Sequence, residues 1–262
     1  MSTETAARLV PRDDPARTMA RDVAARTAEQ HPTSLDEHLV SFVAPTSFEA
    51  DQYRTLRHVV ERLRKDSDIG VLAVTSPGPG EGKTLTTLNL AGALAQAQDA
   101  RVLVLDADFR RPAVARYLGL ANIGAPGLVD LIADPRRELA EAVRDLDSGN
   151  LSVVPAGAVQ QGFYELLTSP RLGAVIGEAR RQYDYVLVDT PPVVALPDCR
   201  LLAKWIDGFL VLVTTDKTPR KQLAETLNLL DPEKVIGLIF NGVRRSSSRY
   251  YGYYSYYHQS GR

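Results

Sequence analysis

Cysteine is almost missing from this sequence. Cys199 is the only one among 262 residues, so no disulfide can form within the chain. Such usage is typical of proteins from a reducing compartment. The four histidines, His31, His38, His58 and His258, are not spaced like metal ligands, either with one another or with Cys199. A zinc site is therefore not expected.

Long apolar runs and an excess of one charge are missing as well. No apolar stretch reaches the roughly 18 residues of a membrane-spanning helix, and the first residues lack the apolar core of a secretory signal. The net charge is −1, so no overall field favours nucleic acid. We therefore expect a cytoplasmic protein that binds no nucleic acid and that reaches the inner face of the plasma membrane only through a partner.

What the sequence does contain is an ordinary globular composition, 44% hydrophobic and 24% charged, in a chain long enough for one domain with tails. Residues 1–45 are rich in Ala, Arg, Thr, Asp and Pro and predict a disordered arm. Residues 46–242 form the predicted folded domain. Residues 243–262 are rich in tyrosine and predict a flexible tail.

Short apolar runs rich in β-branched residues alternate with helical stretches in the predicted domain. This alternation predicts a doubly wound α/β fold, with a mostly parallel sheet covered by helices on both faces. Such sheets bind ligands at the carboxyl ends of their strands. The predicted strands are Val71–Val74, Val102–Leu105, Leu151–Val154, Tyr185–Val188, Phe209–Val213 and Val235–Phe240. The predicted helices are about Phe48–Lys65, then Lys83–Gln98, Pro170–Gln182, Leu196–Trp205 and Pro219–Leu230.

A glycine-rich turn follows the first predicted strand and leads directly into a helix. Residues 76–84 read Ser-Pro-Gly-Pro-Gly-Glu-Gly-Lys-Thr, the spacing of a P-loop, except that Pro77 replaces its usual first glycine. Glycines let the backbone approach an anion, and amides at a helix N-terminus bind phosphate. Lys83 would neutralise the β- and γ-phosphates, and the Thr84 hydroxyl would bind Mg²⁺. The expected nucleotide-binding residues are Gly80, Glu81, Gly82, Lys83, Thr84 and Leu85.

Acidic residues follow two further predicted strands. Asp106 and Asp108 come after Val102–Leu105, and Asp189 comes after Tyr185–Val188. An acid in this position is poorly placed for a core but well placed beside a metal at the ligand-binding edge of the sheet. We expect Asp189 to hold Mg²⁺ through water, and the additional pair to supply a metal contact and a general base, both from Asp106. Each acid alone would equally suit a turn or a helix cap.

The end of the chain gathers six of the eleven tyrosines into one cluster. Tyrosine doublets mixed with glycine and serine lack helix or strand periodicity, which favours a solvated tail over a core. Residues 242–262 also hold four arginines and no acid, so the tail is basic. Large rings in such a tail indicate that the rings or their hydroxyl groups are used. The clustered residues are Tyr250, Tyr251, Tyr253, Tyr254, Tyr256 and Tyr257.

Together these features resemble the bacterial tyrosine kinases (BY-kinases) of capsular and exopolysaccharide systems, over about residues 45–262. The resemblance rests on the P-loop at 76–84 with Asn89 downstream, Asp106-Ala-Asp-Phe-Arg110, Asp189-Thr-Pro-Pro and the tyrosine tail. It implies a P-loop NTPase of the deviant-Walker, partitioning-ATPase-like class that uses ATP and Mg²⁺. It also implies autophosphorylation of the tail between subunits, which would regulate polysaccharide synthesis or export. The catalytic residues would be Lys83, Asp106, Asp108 and Asp189.

The resemblance also implies partners. Many relatives carry a membrane-spanning module in the same chain, and this sequence resembles the type that works with a separate, activating membrane adaptor. Family members form rings through E-x-x-R-x-x-R on an early helix, and Asp51-Gln-Tyr-Arg54-Thr-Leu-Arg57 matches this motif with Asp in place of Glu. A homo-oligomeric ring and an opposing tyrosine phosphatase are therefore expected. From the residues alone, Arg54 and Arg57 would equally serve helix solubility.

Two polar residues near these motifs keep two interpretations each. Arg110 is either a phosphate ligand or a member of a surface ion pair, and we favour the first. Asn241 matches a family position near the nucleotide, which implies a contact to the base, but Asn-Gly is also a common turn sequence.

Two other functions stay open. A non-kinase ATPase of the same fold, such as a septum-positioning or chromosome-partitioning ATPase, would carry a signature lysine early in the phosphate loop. This chain has Ser76-Pro77-Gly78 there instead. A nucleotide-gated scaffold would use the tyrosines only as rings, so Tyr→Phe changes throughout the tail would preserve its function.

Overall fold

The computed structural model describes residues 34–97, 99–120, 126–146, 149–158 and 162–243. Most of the predicted N-terminal arm and the six clustered tyrosines therefore lie outside the described residues. Among the helices that are described, none has the length and apolar character that crossing a bilayer requires.

A seven-stranded sheet forms the centre of the described domain, in the order β3-β4-β2-β5-β1-β6-β7. Neighbouring strands are parallel except for β3 and β4. All six predicted strands are present, with ends within one residue of prediction, so the mostly parallel sheet is confirmed. The strands are β1 (Val71–Thr75), β2 (Val102–Asp106), β3 (Arg144–Asp145), β4 (Leu151–Val154), β5 (Tyr185–Asp189), β6 (Gly208–Thr214) and β7 (Val235–Asn241).

Helices cover both faces of this sheet, which confirms the doubly wound prediction. The described α-helices are α1 (Val40–Val43), α2 (Phe48–Ser67), α3 (Lys83–Ala95), α4 (Val114–Tyr117), α5 (Leu128–Ala133), α6 (Leu139–Ala142), α7 (Phe163–Thr168), α8 (Pro170–Gln182), α9 (Asp198–Leu202) and α10 (Arg220–Leu229). Two short 3₁₀ helices, Ala203–Trp205 and Pro232–Lys234, follow α9 and α10.

The central strands are buried on both faces, which explains why they are continuous apolar runs in the sequence. Every residue of β1, β2, β4 and β5 is buried. One face packs against α2 and α3, and the other against α5, α8 and α9. Because β1, β2 and β5 are adjacent and parallel, their carboxyl ends meet at one edge. That edge carries the candidate site.

The N-terminal boundary of the domain differs from the predicted one. Leu39 is fully buried although it lies within the predicted arm of residues 1–45. The Ser41 amide donates to the Asn89 side-chain oxygen at 2.9 Å, and the Ser41 hydroxyl donates to the Asn89 carbonyl at 2.8 Å. The packed domain therefore begins before residue 46. The composition of this segment did not reveal the attachment, because only one leucine and a few polar side chains form it.

Several short elements were also missed. Helices α1, α4, α5, α6 and α7 have four to six residues each, too few for an apolar period to emerge. Strand β3 has two residues and pairs antiparallel with β4. The longer helices are present where the sequence predicts them, although α3 ends at Ala95 rather than Gln98. The predicted helix Leu196–Trp205 is the five-residue α9, which begins at Asp198, followed by the 3₁₀ helix Ala203–Trp205.

Candidate active site

The P-loop lies between β1 and α3, at the carboxyl edge of the sheet. Gly80 and Gly82 have φ values of 67° and 93°, in the left-handed region that glycine adopts without steric cost. Helix α3 begins at Lys83, directly after Gly82, so the loop ends at a helix N-terminus, where anions bind. Lys83 is largely buried, with 8% of its surface exposed. The sequence therefore folds locally into a strand, a glycine loop and a helix, as a P-loop requires.

Asp106 and Asp189 occupy paired positions at the ends of the adjacent strands β2 and β5. The Thr84 hydroxyl donates a 2.6 Å hydrogen bond to Oδ2 of Asp189. Oδ1 of Asp189 is buried and has no hydrogen-bond partner among the described residues. Asp106 is held by backbone amides, since its Oδ2 accepts from Ala113 and Val114 at 3.1 Å each. Two of the three predicted strand-end acids therefore meet beside the start of α3.

Burial weakens both of these acids. It raises the pKa of Asp189 to about 7, and this outweighs the hydrogen bond from Thr84 and the charge of Lys83, which lower it. Burial also raises the pKa of Asp106 well above its ordinary value, and the nearby charge of Asp189 raises it further. Neighbouring buried carboxylates are unfavourable when both are charged without a counter-charge. A cation at this edge would supply one.

These residues fit a Mg²⁺ site that a nucleotide completes. Mg²⁺ prefers oxygen ligands and usually takes one or two carboxylates from the protein, with phosphates and water as the others. The unpartnered Oδ1 of Asp189 and the Thr84 hydroxyl are such oxygens. Over the described ranges, no group of three or more His, Cys, Asp or Glu side chains could hold a metal ion. The Asp189 and Thr84 oxygens suit a metal that arrives with phosphates.

Asp108 and Arg110 lie just beyond the end of β2. Asp108 is partly buried, and its Oδ1 accepts from the Arg111 amide at 3.0 Å. Arg110 pairs with Asp198 at two points, 2.7 Å from Nε to Oδ2 and 3.1 Å from Nη2 to Oδ1. Its guanidinium also lies 4.9 Å from the centre of the Phe163 ring. Arg110 thus makes an ion pair with a buried partner, as one of its two interpretations has it. Its role as a phosphate ligand stays a prediction.

Four residues from β6, β7 and the loop after β6 hold the P-loop from its other side. The Asn241 side-chain amide donates to the Glu81 carbonyl at 2.9 Å, so its contact is with the P-loop backbone. A Cβ on Gly82 would lie 2.5 Å from the same Asn241 nitrogen. Sequence reasoning missed the other three, because no motif marks them. We call this set the P-loop latch: Thr214, Lys217, Thr218 and Asn241.

The predicted ring motif lies on α2, where its side chains contact their own chain. Arg54 pairs with Asp51 and donates to the Pro45 carbonyl. Arg57 pairs with Glu61 at 2.6 Å and donates to a backbone carbonyl of α3 at 3.2 Å. These contacts fix α2 on the domain. Ring formation through Asp51, Arg54 and Arg57 stays a prediction.

The fold and the site together define a P-loop NTPase, and the chain matches the family model of the AAA domain over residues 70–228. It is 33% identical over 222 residues to tyrosine-protein kinase YwqD of Bacillus subtilis, which covers 84% of this chain and 92% of that protein. The kinase domain of Escherichia coli tyrosine kinase ETK has a TM-score of 0.75 at 26% identity, covering 86% of this chain and 88% of that one. The chain therefore belongs to the bacterial tyrosine-kinase family, as the resemblance implied.

Some relatives are much longer than this chain. Tyrosine-protein kinase wzc of Salmonella typhimurium is 32% identical over 220 residues, which are 82% of this chain but 30% of that protein. The similarity to wzc thus concerns less than a third of that relative.

Proposed function

We propose that this chain is an ATP-dependent protein-tyrosine autokinase that phosphorylates its own C-terminal tyrosine cluster. The observation that carries the proposal is the Thr84–Asp189 hydrogen bond beside the P-loop, with Oδ1 of Asp189 buried and without a hydrogen-bond partner in the described part of the chain. One strand-end acid is enough to hold a metal at a P-loop, so the further acids Asp106 and Asp108 leave a carboxylate for proton transfer. The tyrosine kinases YwqD and wzc support a tyrosine hydroxyl as the acceptor.

Asp108 is better placed than Asp106 to take the proton of the tyrosine hydroxyl. Asp106, for which we expected this role, is 1% exposed, and both its oxygens accept backbone amides. Asp108 is partly exposed, and one of its oxygens accepts the Arg111 amide. A general base must come within hydrogen-bond reach of the incoming hydroxyl. In the proposal Asp108 is the base, and Asp106 helps to hold the metal.

The remaining site residues position the nucleotide. Gly80 to Leu85 would hold the phosphates, and Lys83 would neutralise charge on the transferred γ-phosphoryl group. Thr84, Asp189 and Asp106 would hold Mg²⁺, which when bound offsets the charge of the phosphates. The phenol oxygen would form its bond to phosphorus as the bond to the ADP oxygen breaks. The phenol proton would pass to Asp108.

Transfer would occur between subunits of a homo-oligomer. A flexible tail of about 20 residues has a root-mean-square span of roughly 25 Å, which suits an adjacent site. Each phosphate adds about −1.5 to −2 charge, so a few would reverse the basic tail and weaken its docking at an acidic site. Dissociation of the oligomer into subunits would then regulate the synthesis or export of exopolysaccharide or capsule. A membrane adaptor would hold the kinase at the inner membrane face, and a phosphatase would reset it.

The test is to incubate the full chain with ATP and Mg²⁺, with and without a candidate adaptor segment, and to map phosphate by mass spectrometry. We expect phosphate on Tyr250 to Tyr257 and none in a Lys83→Met control. ATP hydrolysis with no phosphotyrosine in either condition would favour a non-kinase ATPase. Full function after Tyr→Phe changes throughout the tail would favour a scaffold.

A matched pair of chains, neither of which can phosphorylate its own tail, tests transfer between subunits. A Lys83→Met chain retains its tyrosines but lacks the phosphate-binding lysine, while a tail Tyr→Phe chain retains the catalytic site. Phosphate on the Lys83→Met tail after mixing supports transfer between subunits. If the mixture stays unlabelled while the native chain is labelled, transfer occurs within one chain.

A further inference from the structure

The loop after β6 reaches the outside of the P-loop with side chains that belong to no nucleotide-binding motif. Lys217 Nζ donates to the Gly80 carbonyl at 2.6 Å. The Thr218 hydroxyl donates to Oε1 of Glu81 at 2.9 Å. With Thr214 and Asn241, which both donate to the Glu81 carbonyl, the latch makes four hydrogen bonds to two consecutive P-loop residues. Those residues directly precede Gly82 and Lys83.

Glu81 places a carboxylate in the interior of the protein beside the P-loop backbone. It is 3% exposed, and its Oε2 is buried without a hydrogen-bond partner in the described part of the chain. A buried carboxylate depends strongly on each donor that it has, because water cannot replace a lost one. The Thr218 hydroxyl, as the donor to Oε1, therefore helps to fix where the Glu81 side chain and its backbone lie.

Lys217 is held in place in spite of its exposure. An exposed lysine loses side-chain entropy when it is fixed on one acceptor, yet its Nζ lies on the Gly80 carbonyl and 3.3 Å from where a Gly80 Cβ would be. The preceding residue, Asp216, has a φ of 60°, a conformation that few residues other than glycine adopt. Backbone strain of this kind is found where a loop must hold a functional side chain in one direction.

We propose that Lys217 and Thr218 are positioning residues for nucleotide binding. By holding the Gly80 carbonyl and the Glu81 carboxylate from outside, they keep the following amides of the loop in the orientation in which these amides donate to phosphate oxygens. Neither residue touches the reacting atoms. The inference rests on the nucleotide site of the proposed function but not on tyrosine as the acceptor.

The expected signature is a loss of nucleotide affinity without a loss of turnover. A loop that must be ordered by the ligand binds it more weakly, because part of the binding energy is used in the ordering. Once the nucleotide is bound, the loop is in place and the transfer step proceeds normally. A general structural defect would instead lower the fraction of active protein and leave KM for ATP unchanged.

The experiment titrates a fluorescent ATP analogue with Mg²⁺ into the full chain and measures kcat and KM for ATP in tail phosphorylation. Lys217→Met and Thr218→Val should each raise the Kd and KM about 3- to 10-fold, the usual range for one lost hydrogen bond, with kcat within about twofold. Lys221→Met, which removes an exposed lysine four residues further on, should change neither. Thr218→Ser keeps the hydroxyl and should restore the native Kd.

A double variant tests whether Thr218 acts through Glu81. In a Glu81→Ala background the acceptor of the Thr218 hydroxyl is already gone, and Thr218→Val removes only the hydrogen bond that this hydroxyl accepts from the Thr214 amide at 2.9 Å. The second change should therefore add no more than about a twofold loss. A full additional loss would overturn the assigned route. Native Kd in both Lys217→Met and Thr218→Val would overturn the proposal, as would a loss confined to kcat.

The same titration separates this inference from the proposed function. A native chain that binds the analogue but forms no phosphotyrosine would overturn the kinase proposal, while the latch variants would still be decisive in binding. A native chain that binds no nucleotide would overturn both.

Discussion

The two flanks of the P-loop are built in opposite ways. On the β2 and β5 flank, Asp106 and Asp189 are buried with raised pKa values, and Oδ1 of Asp189 lacks a partner among the described residues. On the β6 and β7 flank, the latch supplies four hydrogen bonds to Gly80 and Glu81. The carboxyl groups on the β2 and β5 flank lack a counter-charge that a cation would supply. The hydrogen bonds on the β6 and β7 flank hold the P-loop in place.

This difference explains how a small loop can serve both binding and chemistry. A buried polar atom without a partner costs about 1–3 kcal/mol, and more when it is charged, whereas a formed hydrogen bond contributes about 1 kcal/mol. The cost on the Asp189 side is relieved when a cation arrives. The gain on the latch side fixes the loop before that happens. Preorganised groups of this kind need no rearrangement at the moment of reaction.

We call the β2 and β5 side, with Asp106, Asp108 and Asp189, the catalytic flank. The largest effect on phosphoryl transfer should come from a change at Asp108. Asp108→Asn removes the proposed base while keeping its size, and we expect phosphoryl transfer to fall by about 100-fold or more at saturating ATP. Nucleotide affinity should change little, since Asp108 is assigned no phosphate or metal contact. The measurement is the initial rate of tail phosphorylation, together with the Kd of an ATP analogue.

Asp106→Asn is the informative partner of this variant, and Asp66→Asn, an exposed change on α2, is the matched control. Asp106→Asn should weaken the response to Mg²⁺, because the carboxylate lies beside Asp189. If Asp106→Asn removes transfer at saturating Mg²⁺ while Asp108→Asn leaves it intact, the original assignment of the base to Asp106 is right. The catalytic flank would then use its most buried acid for proton transfer.

The fold could be predicted from the sequence because its central strands are buried on both faces. Runs such as Val102–Leu105 and Tyr185–Val188 have no polar residue until the acid at their end, which marks both the strand and its functional edge. Leu39 gave no such signal, since it is one apolar residue in a polar segment, and its burial depends on α3. Tertiary contacts of single residues cannot be read from a local pattern.

The residues of the candidate site also fall into those that the sequence could predict and those that it could not. Lys83, Thr84 and Asp189 lie at fixed positions relative to a strand end and a glycine loop, so their meeting could be predicted. Lys217 and Thr218 are ordinary surface residue types, and each meets a P-loop partner 137 residues away in the sequence. Only the sheet order, with β6 next to β1, brings them together. The Arg110–Asp198 pair was hidden for the same reason.

The second prediction concerns Gly82, where the P-loop meets the latch. Gly82→Ala should lower the free energy of unfolding by about 2–3 kcal/mol, because a Cβ is strained at a φ of 93° and would lie 2.5 Å from the Asn241 nitrogen. Gly149→Ala is the matched control, since its φ is 75° and nothing lies within 4 Å of its Cβ. It should cost about 1 kcal/mol, the backbone strain alone.

The difference between the two variants measures the contact with the latch. Urea denaturation of nucleotide-free protein gives both values. Adding Asn241→Ala to Gly82→Ala should recover about 1 kcal/mol if the contact is the cause. Equal losses of unfolding free energy for Gly82→Ala and Gly149→Ala would mean that Asn241 makes no tight contact with the P-loop at Gly82. The contrast between the two flanks would then be lost.

The smallest effect is a pH dependence of stability on the catalytic flank. Asp189 has its pKa raised by burial from 3.8 to about 7, so between about pH 4 and pH 7 the folded protein holds a proton that the unfolded chain has released. Stability must therefore fall as pH rises through this window. Asp189→Asn cannot release a proton, so between pH 5 and pH 8 its stability should fall less than that of the native chain, without nucleotide and with a chelator present.

Asp134→Asn is the control for this comparison. In the native chain the pKa of Asp134 is lowered to about 2, mainly by the hydrogen bond from Arg136, so Asp134 titrates outside this window. The stability profile of Asp134→Asn should therefore parallel that of the native chain. Burial keeps the pKa of Asp106 raised in every variant, although Asp189→Asn removes the part that the Asp189 charge adds, so a residual slope of the same sign remains. Thermal unfolding across the pH range checks the result. Parallel profiles for the native chain and Asp189→Asn would show that Asp189 stays charged without a cation. The carboxylates of the catalytic flank would then need no cation, and the contrast between the two flanks would be lost.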